Sequence, residues 1–215
     1  MGIKKITPEI NFNTVQETML MTVYNRKIAA EEYPEILNDK YAVQLVDRLH
    51  FDFSKFANDI PALFTTIIRA RVVDDFVRGF IDQNPRSVVI NLGCGLCTRY
   101  LRLKSKNVLW FDLDLPEVIT LKREFIEEEN NYVFVGKSVF DYSWMDLVKK
   151  FMVEKGHADS PVIIVAEGLF FYLKEEDIQR LFVKIAEQFP ESDMFFEVVH
   201  PIIKLILKYR HTSLR

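Results

Sequence analysis

Gly93, Cys94, Gly95 and Cys97 fall within five positions of the stretch Val88-Val89-Ile90-Asn91-Leu92-Gly93-Cys94-Gly95-Leu96-Cys97-Thr98-Arg99-Tyr100. Three chemistries fit such residues. A Cys-x-x-Cys at the head of a helix can act as a redox pair, because a helix N-terminus lowers the first thiol's pKa. The aromatic residue usual before the first cysteine is replaced by Gly93. A structural zinc site needs four ligands, and His50, His157, His200 and His211 show no paired spacing to complete two cysteines. The third use is a cradle: Gly93 and Gly95 let the chain turn sharply off a strand and bring bare backbone up to a ligand. The dinucleotide fingerprint asks for a further glycine where Thr98 stands, which disfavours NAD. A tight turn without a ligand stays open as the alternative.

Carboxylates follow at telling distances. In Trp110-Phe111-Asp112-Leu113-Asp114-Leu115-Pro116 the two aspartates lie about 20 residues beyond the glycines, where a doubly wound sheet places the acid that binds ribose hydroxyls. Strand alternation points Asp112 and Asp114 to one face, although either can also cap the helix that follows. Phe140-Asp141-Tyr142 follows the third strand, where a carboxylate can accept from an adenine amino group. Glu167 ends the apolar run Val162-Ile163-Ile164-Val165-Ala166, at the edge where such sheets bind ligands. A buried acid there is costly without a partner.

These residues need a frame. Apolar residues recur at helical spacing from Thr14 to Leu49 with a break at Pro34, predicting two helices. Asp59-Ile60-Pro61 opens a third, with Asp59 as cap and Pro61 in the first turn. Leu63, Ile67, Ala70, Val73, Val77 and Phe80 form its inward stripe. Beyond Asn84-Pro85 short β-rich runs alternate with helices, the pattern of a parallel sheet covered on both faces. Strands are predicted at 87–92, 107–113, 132–135, 161–166 and 193–199. Helices are predicted near 98–103, 117–129, 145–154, 175–189 and 201–209. The expected plan is an N-terminal helical lobe, residues 1–84, on an α/β domain, residues 85–215, packed as one unit.

Composition narrows the partners. With 28 basic and 31 acidic residues and a net charge of −3, the chain offers no general attraction for nucleic acid or anionic lipid. A core is affordable at 49% hydrophobic residues, and no segment reaches the roughly 18 unbroken apolar residues of a membrane span. The start lacks the apolar stretch of a secretory signal, and two cysteines suit a reducing compartment, so a cytoplasmic location is expected. Neither membrane nor nucleic acid is an expected partner; a homo-oligomer is open.

Asn91-Leu92-Gly93-Cys94-Gly95-Leu96 with Thr98-Arg99 and Arg102-Leu103, then Phe111 to Ile119, then Ala166-Glu167-Gly168-Leu169-Phe170-Phe171-Tyr172-Leu173, resemble the leucine carboxyl methyltransferase family. The resemblance implies a class I methyltransferase-like, Rossmann-like doubly wound, mostly parallel sheet with an N-terminal helical lid. It implies S-adenosylmethionine as cofactor and methyl transfer to a carboxylate or hydroxyl of a small molecule or of a protein C-terminus. The alternative is a shortened, non-catalytic binder of that cofactor. By the same resemblance Arg71 takes the cofactor's carboxylate, with Arg69 as competitor. Gly93, Cys94 and Gly95 lie against its methionine part, Asp114 binds the ribose with Asp112 also in the expected cofactor set, and Asp141 with Tyr142 lies near adenine. Glu167 lines the pocket. Arg26 sits where the family's first helix carries a basic residue, but its local match is loose and it is outside the expected set. No catalytic base is assigned among His200, Glu167 and Tyr172. Relatives usually carry aspartate where Cys97 stands, and they continue through two strands past the fifth, which implies a shortened protein completed by a partner or an impaired one.

Overall fold

The computed structural model describes residues 14–198. Five strands form one parallel sheet: β1 (Val88–Leu92), β2 (Leu109–Asp114), β3 (Tyr132–Gly136), β4 (Val162–Ala166) and β5 (Asp193–Phe196), in the order β3-β2-β1-β4-β5. Chain order runs outward from β1 to β3, then returns to the other side of β1 for β4 and β5. The reversal lies between β1 and β4, and a doubly wound sheet opens its ligand crevice there. The central strands are mostly apolar because both of their faces are covered: every residue of Val88–Leu92 and Val162–Ala166 is buried.

Alternation divides those strands between two cores. Val89, Trp110, Ile163 and Val165 face α1 (Thr14–Glu32), α2 (Lys40–Arg48) and α3 (Ile60–Gln83), through Leu20, Val23, Leu45, Val73 and Val77. The short α4 (Arg99–Leu103) and α5 (Pro116–Arg123) complete this layer with Tyr100 and Ile119. Val88, Ile90, Phe111 and Ile164 face α6 (Ser143–Glu154) and α7 (Glu175–Gln188) through Trp144, Val148, Leu181 and Ile185. The first three helices therefore share a core with the sheet.

Helix α3 starts as its sequence predicts. Asp59 accepts from Ala62 N–H at 3.1 Å, Pro61 occupies the first turn, and Leu63, Ile67, Ala70, Val73 and Val77 are buried. Its buried stripe closes with Ile81, while Phe80 stays partly buried. Two boundaries differ from expectation by more than two residues. The helix predicted over 117–129 stops at Arg123, after which the chain turns through an antiparallel bridge between Glu129 and Tyr132. Strand β5 ends at Phe196 rather than 199. The helix predicted at 201–209 and His200 lie outside the described residues.

Candidate functional site

A cleft of about 720 Å³ opens at the carboxyl ends of β1, β2 and β4, roofed by α1 and the start of α3. Its floor is the glycine loop after β1. Gly93 and Gly95 sit at φ +62° and +49°, the left-handed region in which a Cβ is strained. A Cβ on Gly93 would stand 2.8 Å from Leu169 Cδ1, and one on Gly95 would stand 3.0 Å from Met19 Cγ. The loop closes on itself where Cys97 N–H donates to Cys94 O at 2.9 Å. It is tied to β2 by Asp114, whose carboxylate accepts from Gly95 N–H and Leu115 N–H, each at 2.7 Å. Burial pushes the Asp114 carboxyl above its usual range, against the pull of those two amides.

Facing Asp114 across the switch point, Glu167 holds the far wall. Arg69 Nε donates to it at 2.9 Å from α3, and Arg99 donates to its other oxygen from α4. Burial would raise the Glu167 carboxyl, but the charges of Arg99 and Arg69 outweigh it and hold the group at about 2. The ion pairs continue inward. Arg99 Nε and Arg102 Nε each reach Asp74 at 2.7 Å, and Arg102 Nη1 reaches the fully buried Asp39 at 2.7 Å. A buried cation is stable only when so paired, and this chain of charges pins α2, α3 and α4 to the loop beyond β4. Arg69 also meets Glu197 at 3.4 Å, and Glu197 accepts from Gly168 N–H at 2.6 Å. Arg26 reaches down from α1 to donate to Leu96 O at 2.9 Å.

Of the residues expected from sequence, Gly93, Cys94, Gly95, Asp114 and Glu167 line this cleft together. Four others do not. Arg71 points away on the exposed side of α3, paired with Asp75 at 2.6 Å and reaching Ile36 O at 3.3 Å. Arg69, two residues earlier, enters the cleft instead, because two residues turn a helix through about 200°. Asp112 lies beneath the floor, not in it. Its carboxylate pairs with Lys122 at 2.6 Å and accepts from Tyr132 Oη at 2.5 Å, Asn91 Nδ2 at 2.9 Å and Trp110 Nε1 at 3.0 Å. Asp141 is exposed and turned toward α6, where it accepts from Ser143 and pairs with Lys137 at 2.8 Å; Lys137 holds its carboxyl at about 2. Tyr142 packs against the α6 and α7 core, and the cleft wall there is Lys137, Ser138, Val139 and Phe140.

Arg26, Arg69 and Asn91 are among the polar residues that line the cleft and lie outside the expected set. The signal for Arg69 was the spacing of Ala62, Thr65, Thr66 and Arg69, which share one helix face. The surroundings do not suit a nucleophilic pair: burial pushes the Cys94 thiol well up, whereas a reactive first cysteine needs the opposite. Among the described residues no group of three or more His, Cys, Asp or Glu side chains is arranged to hold a metal ion, and no helix is long and apolar enough to cross a membrane.

Residues 19–186 match the leucine carboxyl methyltransferase family. The chain is 30% identical over 201 residues to the tetracenomycin polyketide synthesis O-methyltransferase TcmP of Streptomyces glaucescens, covering 93% of this chain and 72% of that protein. It is also 30% identical over 204 residues to the S-adenosyl-L-methionine-dependent methyltransferase dpfgK of Gibberella zeae, covering 88% of this chain and 66% of that protein. A solved structure described as a methyltransferase of Thermobifida fusca superposes with a TM-score of 0.54 over 86% of this chain and 69% of the other, at 17% identity, a likeness of fold.

Proposed function

This chain belongs to the leucine carboxyl methyltransferase family, and we propose that its cleft binds S-adenosylmethionine and presents the methyl group to an oxygen of a small-molecule acceptor. The observation that carries the assignment is the convergence of the Gly93–Gly95 loop, Asp114, Glu167 and Arg69 on one cleft at the switch point.

The residues present suit that cofactor. A carboxylate at the end of β2 is placed to accept from a ribose diol, and Asp114 is the acidic side chain of β2 that reaches the cleft. The amino-acid end brings a carboxylate, for which the Arg69 fork is the matching donor, with Arg26 as a second cation on the cleft wall. The raised glycine loop leaves room for the thioether portion, since a Cβ at Gly93 or Gly95 would crowd Leu169 or Met19. Val139 and Phe140 offer apolar surface at the end of β3 for the base. When bound, the cofactor supplies an electrophilic methyl on a sulfonium.

The chain's own part in the reaction is placement. Holding an acceptor in line about 3 Å from the reacting carbon can supply much of the acceleration. Met19, Met21, Leu169 and Phe171 give the cleft an apolar wall that excludes water and favours an apolar acceptor. Glu167 is no base: a carboxyl held at about 2 has too little proton affinity to take a proton from an alcohol at neutral pH. Its role is to hold Arg69. An acidic overall charge and free thiols support a partner other than nucleic acid and a cytoplasmic location.

Calorimetric titration with S-adenosylmethionine and with its demethylated product tests this. Binding with a rise in melting temperature is expected; no heat and no shift at 100 μM ligand would remove the assignment.

A further inference from the structure

The one lysine buried without any exposed side-chain surface in the described core is Lys122 of α5, directly under the glycine loop. An ammonium has three donors, and all three are used. One meets Asp112 Oδ2 at 2.6 Å, one Cys97 O at 2.8 Å, and one Gly95 O at 3.4 Å. Asp112 is in turn held by Tyr132, Trp110 and Asn91, and Asn91 itself lines the cleft. Three strands and a helix thus converge on a single ion pair whose free donors are spent on two carbonyls of the loop.

A buried ion pair is a poor way to gain stability. Similar-sized apolar residues in its place are often neutral or better, whereas removing one partner alone leaves an expensive unpaired charge. What the pair does here that apolar residues cannot is fix backbone orientation. A peptide unit is planar, so anchoring the carbonyls of Gly95 and Cys97 sets the tilt of the Gly95-Leu96 and Cys97-Thr98 planes. Gly95, Leu96 and Cys97 all line the cleft. With glycine at φ +49° the loop has little stiffness of its own to hold that arrangement.

We infer that Lys122, locked on Asp112, is a positioning residue for cofactor binding: it holds the carbonyl side of the glycine loop so that the cleft side is preset to receive the ligand. The inference rests on the cofactor assignment above.

The test separates positioning from charge burial. Replacing both partners, Asp112→Asn with Lys122→Met, removes the ion pair without leaving an unpaired charge. If Lys122 merely neutralises Asp112, this double variant binds as the original chain does. If it positions the loop, the variant keeps a cooperative melting transition but binds S-adenosylhomocysteine roughly tenfold to a hundredfold more weakly, the cost of lost charge-assisted anchoring. A second double variant, Asp112→Asn with Lys122→Gln, returns an amide donor and is expected to recover part of the loss. A folded Met variant with affinity within twofold of the original overturns the inference. So does failure of both variants to fold, since Lys122 would then serve the fold and not the site. Failure of the unsubstituted chain to bind would instead overturn the cofactor assignment, and this inference with it.

Discussion

Arg69 of α3 and Glu167 beyond β4 meet at 2.9 Å across the mouth of the cleft, 98 residues apart in sequence. Through this contact a helix that precedes the sheet is joined to the strand end that completes the binding crevice. The contact also leaves Arg71, the expected cofactor ligand, on the opposite side of its helix.

Substituting these two arginines should therefore give opposite results. Arg69→Met is expected to weaken binding of S-adenosylhomocysteine by roughly tenfold to a hundredfold, the range for losing a charge-assisted contact. Arg71→Met should leave the affinity unchanged. Calorimetry on both variants decides, and a loss on Arg71→Met would return the carboxylate site to that position.

Acid should loosen the fold in a particular window. Burial raises the Glu167 carboxyl, but Arg99 and Arg69 prevail and hold it at about 2, against 4.5 for an ordinary glutamate. A folded-state value below the unfolded one means that the stabilisation is present above about pH 4.5 and is lost as pH falls toward 2. A gap of that size corresponds to something on the order of 3 kcal/mol. Urea midpoints across this range should fall steeply for the original chain and more gently for Glu167→Gln, which starts less stable at neutral pH. Equal slopes would contradict the assignment.

At Gly93 the backbone lies at φ +62° with Leu169 close by. Gly93→Ala should cost about 1–2 kcal/mol for the left-handed conformation and should also disturb the cleft wall. A lower melting temperature together with weaker ligand binding is expected. An unchanged melting temperature would mean that the loop adopts another conformation.

The two thiols should react unequally. Cys97 is partly exposed on the cleft wall, and Cys94 is buried with its thiol pushed up by burial. A thiol reagent should modify Cys97 first in the native protein, and saturating S-adenosylhomocysteine should slow it. Equal rates for both cysteines, or no protection by ligand, would show that the loop is more open than described.

Much of this architecture was legible from sequence because its physics is local. A central parallel strand is covered on both faces and so is mostly apolar, and the runs ending at Leu92 and Ala166 announced themselves, and with them the positions of Gly93 and Glu167. Asp59 and Pro61 marked a helix start for equally local reasons. What was not legible depends on partners distant in sequence. Alternation put Asp112 and Asp114 on one face, but only the fold brings Lys122, Asn91 and Tyr132 around Asp112 and takes it out of the site. Asp141 fails by one turn of chain: the cleft takes Ser138 to Phe140, and the aspartate is drawn off by Ser143 at the start of α6. Arg26 is selected by a contact to Leu96 O, 70 residues away, which no spacing in α1 encodes.

The placement of β1 between β2 and β4 has a consequence for how the protein is made. A chain emerging from the ribosome delivers β1, β2 and β3 well before β4, which pairs with β1 through Val88–Val162 and Val89–Ile163. Until then β1 presents an unpaired apolar edge, the kind of surface through which nascent chains associate wrongly. Synthesis thus holds the protein in a half-built state with Asp114 in place and Glu167 still to come. The arrival of one strand then does two things at once: it covers the edge and supplies the second wall of the cleft.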